Sequence, residues 1–568
     1  MTNAISATQG PPTPKPARAF PMSHLHNLIP NNGSKLCFYS ARAGSAGCVL
    51  ANRLSANPKS RVLLIEAGGR DTNPWIHVPV GYFKTLHNPK TDWCYKAEPD
   101  PGLNGRSLDW PRGKGMGGSS SINGLLYVRG NPRDYDDWAQ AGNPGWSWDD
   151  VLPLFKRSEA HEAGESEHHG GRGGLAVSTI RAKSPISEAF IDAAVEMGVP
   201  RNDDYNGAKQ EGAGYFHQTA RKGLRCSSAR AFITPIRGKR SNLTIETNAL
   251  VQRLIFANDD PKRVICVAFA QKGHDRQVRL RDGGEVILSA GAIGSPQILE
   301  LSGIGRGDVL QNAGIALCHE LPGVGEALQD HLQTRLVYEV NVPTLNDAIN
   351  SVFKRMGIAL QYALNRSGPM SLGASQVCIF ARSTDDADIP DIQFHFQPLS
   401  ADKPGIEMHP FSGFTSAVCQ LRPESHGHIH IGSPDPKAYP KIVPYYLSAT
   451  ADQLCAIRAV RFARAMTKTN ALSPFIVREH VPLSPPISDE ECLEVARNLS
   501  QTIYHPTSTC RMGQDVNAVV DARLRLHGIT SLRIADASIM PSITSGYTNA
   551  PAILIGEKAA ELLLVDHR

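Results

Sequence analysis

A glycine-rich turn near the start of the chain is the first candidate for chemistry. The stretch FYSARAGSAGCVLANRL (38–54) follows the pattern G-x-G-x-x-G, with Arg42, Gly44 and Gly47 in the three glycine positions. The second glycine lets a pyrophosphate approach the backbone, and the third lets the following helix pack on the preceding strand. Free N–H groups and a partial positive charge at the helix N-terminus attract phosphate. The turn therefore predicts a dinucleotide site.

Arg42 departs from this pattern, because the first position normally needs a glycine for the tight turn. An arginine held in a conformation that only glycine tolerates costs roughly 1–3 kcal/mol of strain, although its charge could meet the pyrophosphate. Glu66 follows an apolar run and lies at the usual spacing for a carboxylate that binds the adenosine ribose. We expect dinucleotide binding at an affinity below that of an Arg42→Gly variant.

The elements that must position this turn form a strand–helix–strand unit. LCFYSA (36–41) is a short apolar strand, apolar residues recur at helical spacing from Ala46 to Leu54, and RVLLIEAGG (61–69) is a buried strand that ends in an acid. This pattern indicates a βαβ unit with parallel strands.

Further pieces of the same domain lie far along the chain. GGEVILSAGAIGSPQIL (283–299) again leads from a strand into glycines and a helix, and the Asp-bearing segment LRIADASIMP (532–541) precedes a final amphipathic helix at APAILIGEKAAELLLV. DIQFHFQP and HGHIHIGSP alternate as antiparallel strands do. We predict an α/β (α+β) fold, with a discontinuous Rossmann-like domain and an inserted antiparallel-sheet domain. The expected division is a disordered tail (1–34), a nucleotide-binding domain (35–155, 215–325 and 500–568) and a substrate-binding domain (156–214 and 326–499).

Composition narrows the class of protein. The 568 residues exceed what one core usually organises, and 41% hydrophobic with 20% charged residues is typical of soluble globular chains. A net charge of +5 without a basic block argues against a nucleic-acid partner. Eleven dispersed cysteines without a C-x-x-C pair indicate reduced thiols. Neither a secretory signal nor an apolar run of ~18 residues is visible, so we expect a cytoplasmic protein without a transmembrane segment.

Other histidine-rich stretches predict structure rather than chemistry. HEAGESEHHGG lacks a defined ligand geometry, so no metal site is expected there. HGHIHIG reads as an exposed strand face. His395, in FHF, is expected on the inserted sheet at the border of a substrate pocket.

Two glycine-rich loops identify a family. GKGMGGSSSINGLLYVRGNPRDYD (113–136) and GAIGSPQILELSGIG (291–305) closely resemble the two signature sequences of the glucose–methanol–choline (GMC) family of flavin oxidoreductases. The resemblance continues through LPGVGEALQDHLQ, YHPTSTCRMG, LRIADASIMP and TNAPAILIGEKAAELL, and covers residues 36–565. The branch of choline-dehydrogenase-like enzymes and bacterial alcohol dehydrogenases looks most similar.

This resemblance implies FAD as the cofactor, and we expect it to be bound non-covalently, because the histidine that covalent members use for attachment has no clear counterpart here. The resemblance also assigns cofactor-binding residues in three groups. They are Gly44, Ser45, Ala46, Gly47 and Glu66 at the adenosine and pyrophosphate half, with Val251 at the adenine; Gly117, Ser121, Asn123, Gly124 and Leu125 along the flavin; and Asp536, Ala537, Asn549 and Pro551 over the pyrophosphate and ring.

The same resemblance implies the reaction. His505 in YHPTSTCRMG corresponds to the family's catalytic histidine, which takes the hydroxyl proton of an alcohol while hydride passes from carbon to flavin N5. Tyr547 in SGYTNAP stands where an asparagine or histidine helps hold the substrate oxygen, and it either fills the pocket and weakens activity or changes the substrate.

We therefore expect FAD-dependent oxidation of a primary alcohol to the aldehyde. Electrons would pass to a quinone, another carrier or oxygen, and oligomerisation is possible. A choline site would need aromatic faces and a carboxylate, which the sequence does not locate. Two alternatives stay open: a degenerate GMC-fold flavoprotein with little activity, and a non-alcohol GMC reaction such as that of a lyase or photodecarboxylase.

Overall fold

A five-stranded parallel sheet supports the glycine-rich turn. The computed structural model describes residues 36–180, 183–373, 375–402 and 407–567, so the predicted tail lies outside the described residues. The strands of this sheet are, in spatial order, Leu243–Glu246, Ser60–Ile65, Leu36–Ala41, Glu285–Leu288 and Leu532–Ile534. The three strands predicted at LCFYSA, RVLLIEAGG and GGEVILS are confirmed, and Leu243–Glu246 and Leu532–Ile534 complete the sheet.

Helices cover the parallel sheet and surround the inserted domain. Ser45–Leu54 packs against the final helix, Asn549–Asp566, where a Cβ at Gly556 would lie 2.7 Å from the Ala46 carbonyl oxygen. The described helices are Ser45–Leu54, Pro74–His77, Tyr82–Thr85, Pro132–Gln140, Trp148–Ser158, Pro185–Glu196, Gly291–Leu301, Gly307–Asn312, Leu345–Asn350, Val352–Asn365, Thr450–Met466, Asp489–Leu499 and Asn549–Asp566.

An antiparallel sheet forms the second layer beside the parallel one. Its path runs through Ile476–Val481, Leu332–Val340, Gly413–Gln420, Ile392–Gln397, Val377–Ala381 and Gly212–Tyr215, and Gln501–Thr502 also pairs with Leu332–Val340. The predicted inserted sheet and the α/β fold class are thereby confirmed, while the domain boundaries stay a prediction.

The two faces of this sheet differ in chemistry, because successive side chains of a strand point to opposite sides. Leu336, Phe394 and Phe396 face the hydrophobic core and are fully buried. The neighbouring positions Arg335 and His395 lie on the other face. Arg335 and His395 line the second cavity described below.

Smaller sheets complete the fold. Their strands are Ala249–Phe256, Val264–Gln271 and His274–Arg279; Glu159–His161, Leu175–Thr179 and His217–Gln218; Tyr95–Lys96 and Asp109–Trp110; Ala220–Arg221 and Leu224–Arg225; Ile304–Gly305 and His319–Glu320; and His428–His430 and Lys441–Val443. Within HGHIHIG, His428–His430 is therefore a strand as predicted, but its histidines do not form an exposed face. His426 is exposed but precedes the strand, whereas His428 and His430 are half-buried, and His430 bonds Glu300 at 2.6 Å.

Ten cysteines, all those with described side chains, are free thiols. Within the described ranges, every helix is too short or too polar to cross a bilayer. The described part of the chain also lacks any cluster of three metal-ligating side chains.

Candidate active site

A deep cleft opens at the carboxyl ends of the parallel strands. The segments that follow four strands of that sheet line it, together with the loop at 111–126 and residues 503–506. Ligands of open α/β sheets bind at this edge, because the strand-to-helix turns leave a crevice there. The cleft is the candidate active site.

Close backbone contacts explain the glycines of the turn. A Cβ at Gly47 would lie 2.1 Å from the Arg42 carbonyl oxygen, and a Cβ at Gly118 would lie 2.8 Å from the Gly44 Cα. Helix Ser45–Leu54 begins at Gly44 without a side-chain cap and has no acid in its first turn. The first N–H groups of the helix are thus free to bind an anion.

Arg42 occupies the strained position that the pattern indicates. Its φ of 83° lies in the left-handed region, which a bulky residue rarely adopts. The guanidinium lies over the Trp93 ring, 4.6 Å from its centroid, and donates to the Ala290 carbonyl at 3.4 Å. Arg42 therefore spans the cleft wall instead of leaving it open as a glycine would.

We expect Arg42→Gly to tighten FAD binding about 10-fold and to raise the thermal midpoint. Glycine adopts this φ without strain of roughly 1–3 kcal/mol, and the cofactor then displaces no guanidinium. Titration of the two apoproteins with FAD measures the affinity. Arg42→Ala is the control, because it removes the guanidinium but keeps a Cβ at positive φ. Equal affinities of wild type and Arg42→Gly would contradict the expectation.

Glu66 is a buried carboxylate that ties three segments of the cleft together. It accepts N–H groups of Ala43 at 2.9 Å, Gly68 at 2.8 Å and Gly115 at 3.0 Å. Burial raises the pKa of Glu66, and these N–H groups and Arg42 partly oppose the rise. Three acceptor positions are used, and a carboxylate offers about four. Its predicted ribose contact fits this geometry.

Distant residues hold the remaining cofactor loops. Asn123 is fixed by the buried Arg225, which reaches its side-chain oxygen at 2.6 Å and its carbonyl at 2.7 Å. Asp536 accepts the Gly291 N–H at 2.9 Å, and Asn549 accepts the Ser45 hydroxyl at 2.8 Å. These contacts join loops that lie hundreds of residues apart in the chain.

The predicted site residues fall into two groups. The cleft is lined by Gly44, Ser45, Ala46, Glu66, Asn123, Gly124, His505, Asp536, Ala537, Tyr547 and Asn549. Gly47, Gly117, Ser121, Leu125, Val251 and Pro551 do not line it. Several of this second group support the lining segments: the Gly117 N–H, for example, donates to the Ala43 carbonyl at 2.8 Å.

A pair of histidines sets the protonation of the predicted base. His331 bonds the Leu421 carbonyl through Nε2 at 2.9 Å, and its Nδ1 lies 3.1 Å from Nδ1 of His505. A carbonyl only accepts, so the neutral His331 carries its proton on Nε2 and accepts at Nδ1. His505 must then donate from Nδ1. Its Nε2 is left as an unprotonated acceptor at the cleft.

The surroundings keep both rings neutral. Burial lowers the pKa of His505 well below 6.5, and His331, Arg112 and His395 lower it further. Burial also lowers the pKa of His331 to about 4. Asp330 holds the backbone of this segment by accepting the His505 N–H at 2.6 Å. Within the motif LQDH, Asp330 therefore holds the backbone at the predicted base, His505, and His331 fixes the tautomer of the His505 ring.

Tyr547 separates the base from a second cavity. Its ring centroid lies 4.9 Å from that of His505 and 5.6 Å from that of His395. Tyr547 and Tyr504 line both the cleft and this second cavity, which we call the side cavity. The side cavity is lined by Tyr82, Phe83, Leu86, Ile122, Asn123, Gly124, Leu126, Gln333, Arg335, Ser375, His395, Gln397, Leu399, Ala401, Met408, Ile503, Tyr504 and Tyr547.

Sequence reasoning missed several residues of this site. His331 and Asp330 lie within the family-like stretch LPGVGEALQDHLQ but were given no role there, and Arg225 lies in no motif that the sequence pointed out. A polar residue at an inward position of an apolar strand, such as Arg335 in LQTRLVYEV, was the one available clue.

Comparison with known proteins places the chain among flavoenzymes. Residues 36–333 and 423–556 match the GMC oxidoreductase N- and C-terminal families. An alcohol dehydrogenase [acceptor] from Pseudomonas putida is 42% identical over 92% of this chain and 94% of that protein. An oxygen-dependent choline dehydrogenase from Escherichia coli is 40% identical over 92% and 94%. The structure of a formate oxidase variant from Aspergillus oryzae, concerned with FAD modification, superposes with a TM-score of 0.86 at 27% identity over 95% of this chain and 99% of that one.

Proposed function

The chain belongs to the GMC oxidoreductase family, and on this basis we propose that it oxidises a primary alcohol to the aldehyde with His505 as the base. It is an FAD-dependent oxidoreductase, related to alcohol and choline dehydrogenases. The observation that carries the proposal is the His331–His505 contact, because it leaves an unprotonated nitrogen at the cleft.

The cleft fits FAD. Gly44 and Gly118 approach so closely that a Cβ at position 118 would overlap the Gly44 Cα, which leaves bare backbone beside the free helix N-terminus. A pyrophosphate needs such a surface. Gly44, Ser45 and Ala46 would hold the pyrophosphate, Glu66 the ribose, and Asn123 with Gly124 the flavin.

FAD, when bound, would supply the acceptor for the hydride that leaves the carbinol carbon. Nε2 of His505 accepts the hydroxyl proton, which lowers the barrier to breaking the carbon–hydrogen bond. His331 keeps Nε2 in the accepting tautomer. The Tyr547 phenol reaches the same space and can donate a hydrogen bond to the substrate oxygen. It contacts Phe216 on its other side, which restricts the ring.

Anaerobic mixing of the FAD-loaded protein with primary alcohols tests the proposal. We expect at least one alcohol to bleach the visible flavin absorbance, with the aldehyde formed in equal amount. Flavin that no alcohol bleaches would contradict it and favour a non-alcohol reaction. A folded protein that does not take up FAD would favour the degenerate alternative.

The electron acceptor, the oligomeric state and a cytoplasmic location stay predictions. The alcohol dehydrogenase relative is described with an unspecified acceptor and the choline dehydrogenase with oxygen. Repeating the bleaching experiment and then admitting oxygen or a quinone identifies which acceptor restores the flavin absorbance.

A further inference from the structure

We propose that the alcohol substrate carries a carboxylate group and that Arg335 in the side cavity binds it. This inference rests on the proposed alcohol oxidation and names its substrate class. The evidence for it is the buried guanidinium of Arg335, which has no ion-pair partner among the described residues, and the unpartnered ring nitrogens of His395. Both residues line the side cavity, which shares Tyr504 and Tyr547 with the cleft that contains His505.

Arg335 is a buried charge without a protein partner. Its residue surface is 5% exposed, and among the described residues its side chain makes neither a hydrogen bond nor an ion pair. Other buried arginines of the described chain have partners: Arg129 pairs with Glu159 at 2.7 Å and Arg533 with Glu285 at 2.7 Å, while Arg225 has no ion pair but donates hydrogen bonds to Asn123 at 2.6 and 2.7 Å. A buried charge is normally paired, because removing it from water is costly.

Unsatisfied groups cluster on the same sheet face. Arg335 and His395 both lie opposite Ala417 in the strand register, so a small methyl separates them. Both ring nitrogens of His395 are buried without a partner in the described structure. Burial lowers the pKa of His395 to about 3, with contributions from His331 and Arg335, so its ring is neutral and offers one N–H donor. An oxyanion would satisfy Arg335 and this N–H together.

The charge of the side cavity excludes a cationic substrate. Its described lining contains Arg335 and neutral polar or apolar groups, with neither aspartate nor glutamate. The carboxylate expected of a choline site is thus missing from these lining residues, and a trimethylammonium group would meet the like charge of Arg335. A carboxylate is complementary, because a guanidinium can bind it through two parallel hydrogen bonds.

The side cavity also lies where a substrate tail must go. Tyr504 and Tyr547 line both it and the cleft that contains His505. A substrate whose hydroxyl lies at His505 can therefore extend past Tyr547 and place a second polar group at Arg335. The lining of the side cavity includes aromatic and apolar side chains such as Phe83 and Leu86, which suit a short methylene chain.

A substrate series of matched length tests the proposal on the FAD-loaded enzyme. The series compares ω-hydroxycarboxylates of three to six carbons with 1-alkanols of equal length and with choline, by the rate of anaerobic flavin bleaching. We expect kcat/KM for the best hydroxycarboxylate to exceed that of its alkanol by roughly 10- to 150-fold, as a charge-assisted hydrogen bond gives. Choline should be poorer than either.

Variants at position 335 test whether Arg335 causes the preference for hydroxycarboxylates over alkanols. Arg335→Gln should bring the ratio of the two kcat/KM values close to one, mainly through KM of the hydroxycarboxylate, and Arg335→Lys should keep part of it. Arg461→Gln is the matched control, since Arg461 forms an exposed pair with Asp489 and neither residue lines the side cavity. It should keep the full ratio.

A binding readout is independent of turnover. Butanoate, which lacks a hydroxyl, should raise the thermal midpoint of the wild type but not of Arg335→Met. Arg335→Met alone should melt higher than the wild type, because it removes an unpaired buried charge.

The outcomes separate the two proposals. Alkanols that bleach the flavin as fast as hydroxycarboxylates, or a ratio that survives in Arg335→Gln, would overturn the carboxylate inference and leave alcohol oxidation standing. Stabilisation by butanoate that requires Arg335, without bleaching by any alcohol, would support the carboxylate site and overturn alcohol oxidation. Absence of both effects would overturn both.

Discussion

Replacement of His505 by asparagine lowers kcat/KM for a primary alcohol by about 10²- to 10⁴-fold, the range expected for loss of a general base. The physical reason is that the remaining side chain no longer presents an unprotonated nitrogen to the hydroxyl group. The variant should still bind FAD, because Glu66, one of the predicted cofactor-binding residues, is held by Ala43 and Gly68 and not by His505. Stopped-flow flavin bleaching measures the loss, and the visible spectrum verifies the cofactor.

The pH profile is part of the same expected result. A base works while neutral, so the rate is present above its pKa and is lost as pH falls through it. Because burial holds the pKa of His505 well below 6.5, wild-type kcat/KM should stay level between pH 7.5 and 6.5 and decline only at lower pH. The His505→Asn variant should lack this acid limb.

A surface histidine supplies the control for this experiment. His426 is exposed and bonds the Glu424 carbonyl at 2.7 Å, outside the cleft. His426→Asn should therefore keep both the wild-type rate and the wild-type pH profile. A His505→Asn enzyme that retains more than about one tenth of the wild-type rate would show that another group takes the proton.

Replacement of Gly47 by alanine should prevent assembly of the FAD site. The added methyl would lie 2.1 Å from the Arg42 carbonyl oxygen and 3.2 Å from the Ser40 hydroxyl. The close contact is with backbone, so relief requires helix Ser45–Leu54 to move away from the parallel sheet. Overpacking of this kind costs typically 1–3 kcal/mol or more. FAD content after purification should fall below one tenth of the wild-type value, and the thermal midpoint should fall as well.

Gly357 provides a matched glycine-to-alanine control. It lies on the exposed helix Val352–Asn365, and a Cβ there meets nothing within 4 Å. Gly357→Ala should keep full FAD content and stabilise the protein by about 0.5–1 kcal/mol, since alanine is the better helix former. Wild-type FAD content and melting in Gly47→Ala would refute the close-packing argument for the third glycine.

Local patterns account for what the sequence predicted correctly. LCFYSA became the strand Leu36–Ala41, and GAIGSPQIL became most of the helix Gly291–Leu301. Alternation in DIQFHFQP predicted the strand Ile392–Gln397. These assignments depend only on apolar periodicity and turn chemistry within a few residues. The positive φ at Arg42 was likewise predictable, because the glycine pattern states which position needs it.

The sequence by itself determined the family, the FAD cofactor and the strand–helix order, and it predicted His505 as the base. Only the tertiary structure supplied the grounds for the proposed protonation of His505 and for the proposed substrate preference. His331 meets His505 from 174 positions away, and Arg225 reaches Asn123 from 102. Arg335 is left unpaired because the strand register places Ala417, not an acid, beside it. Whether a buried side chain finds a partner depends on which distant strands become neighbours and on the register between them. Both are properties of the folded chain and not of the local sequence.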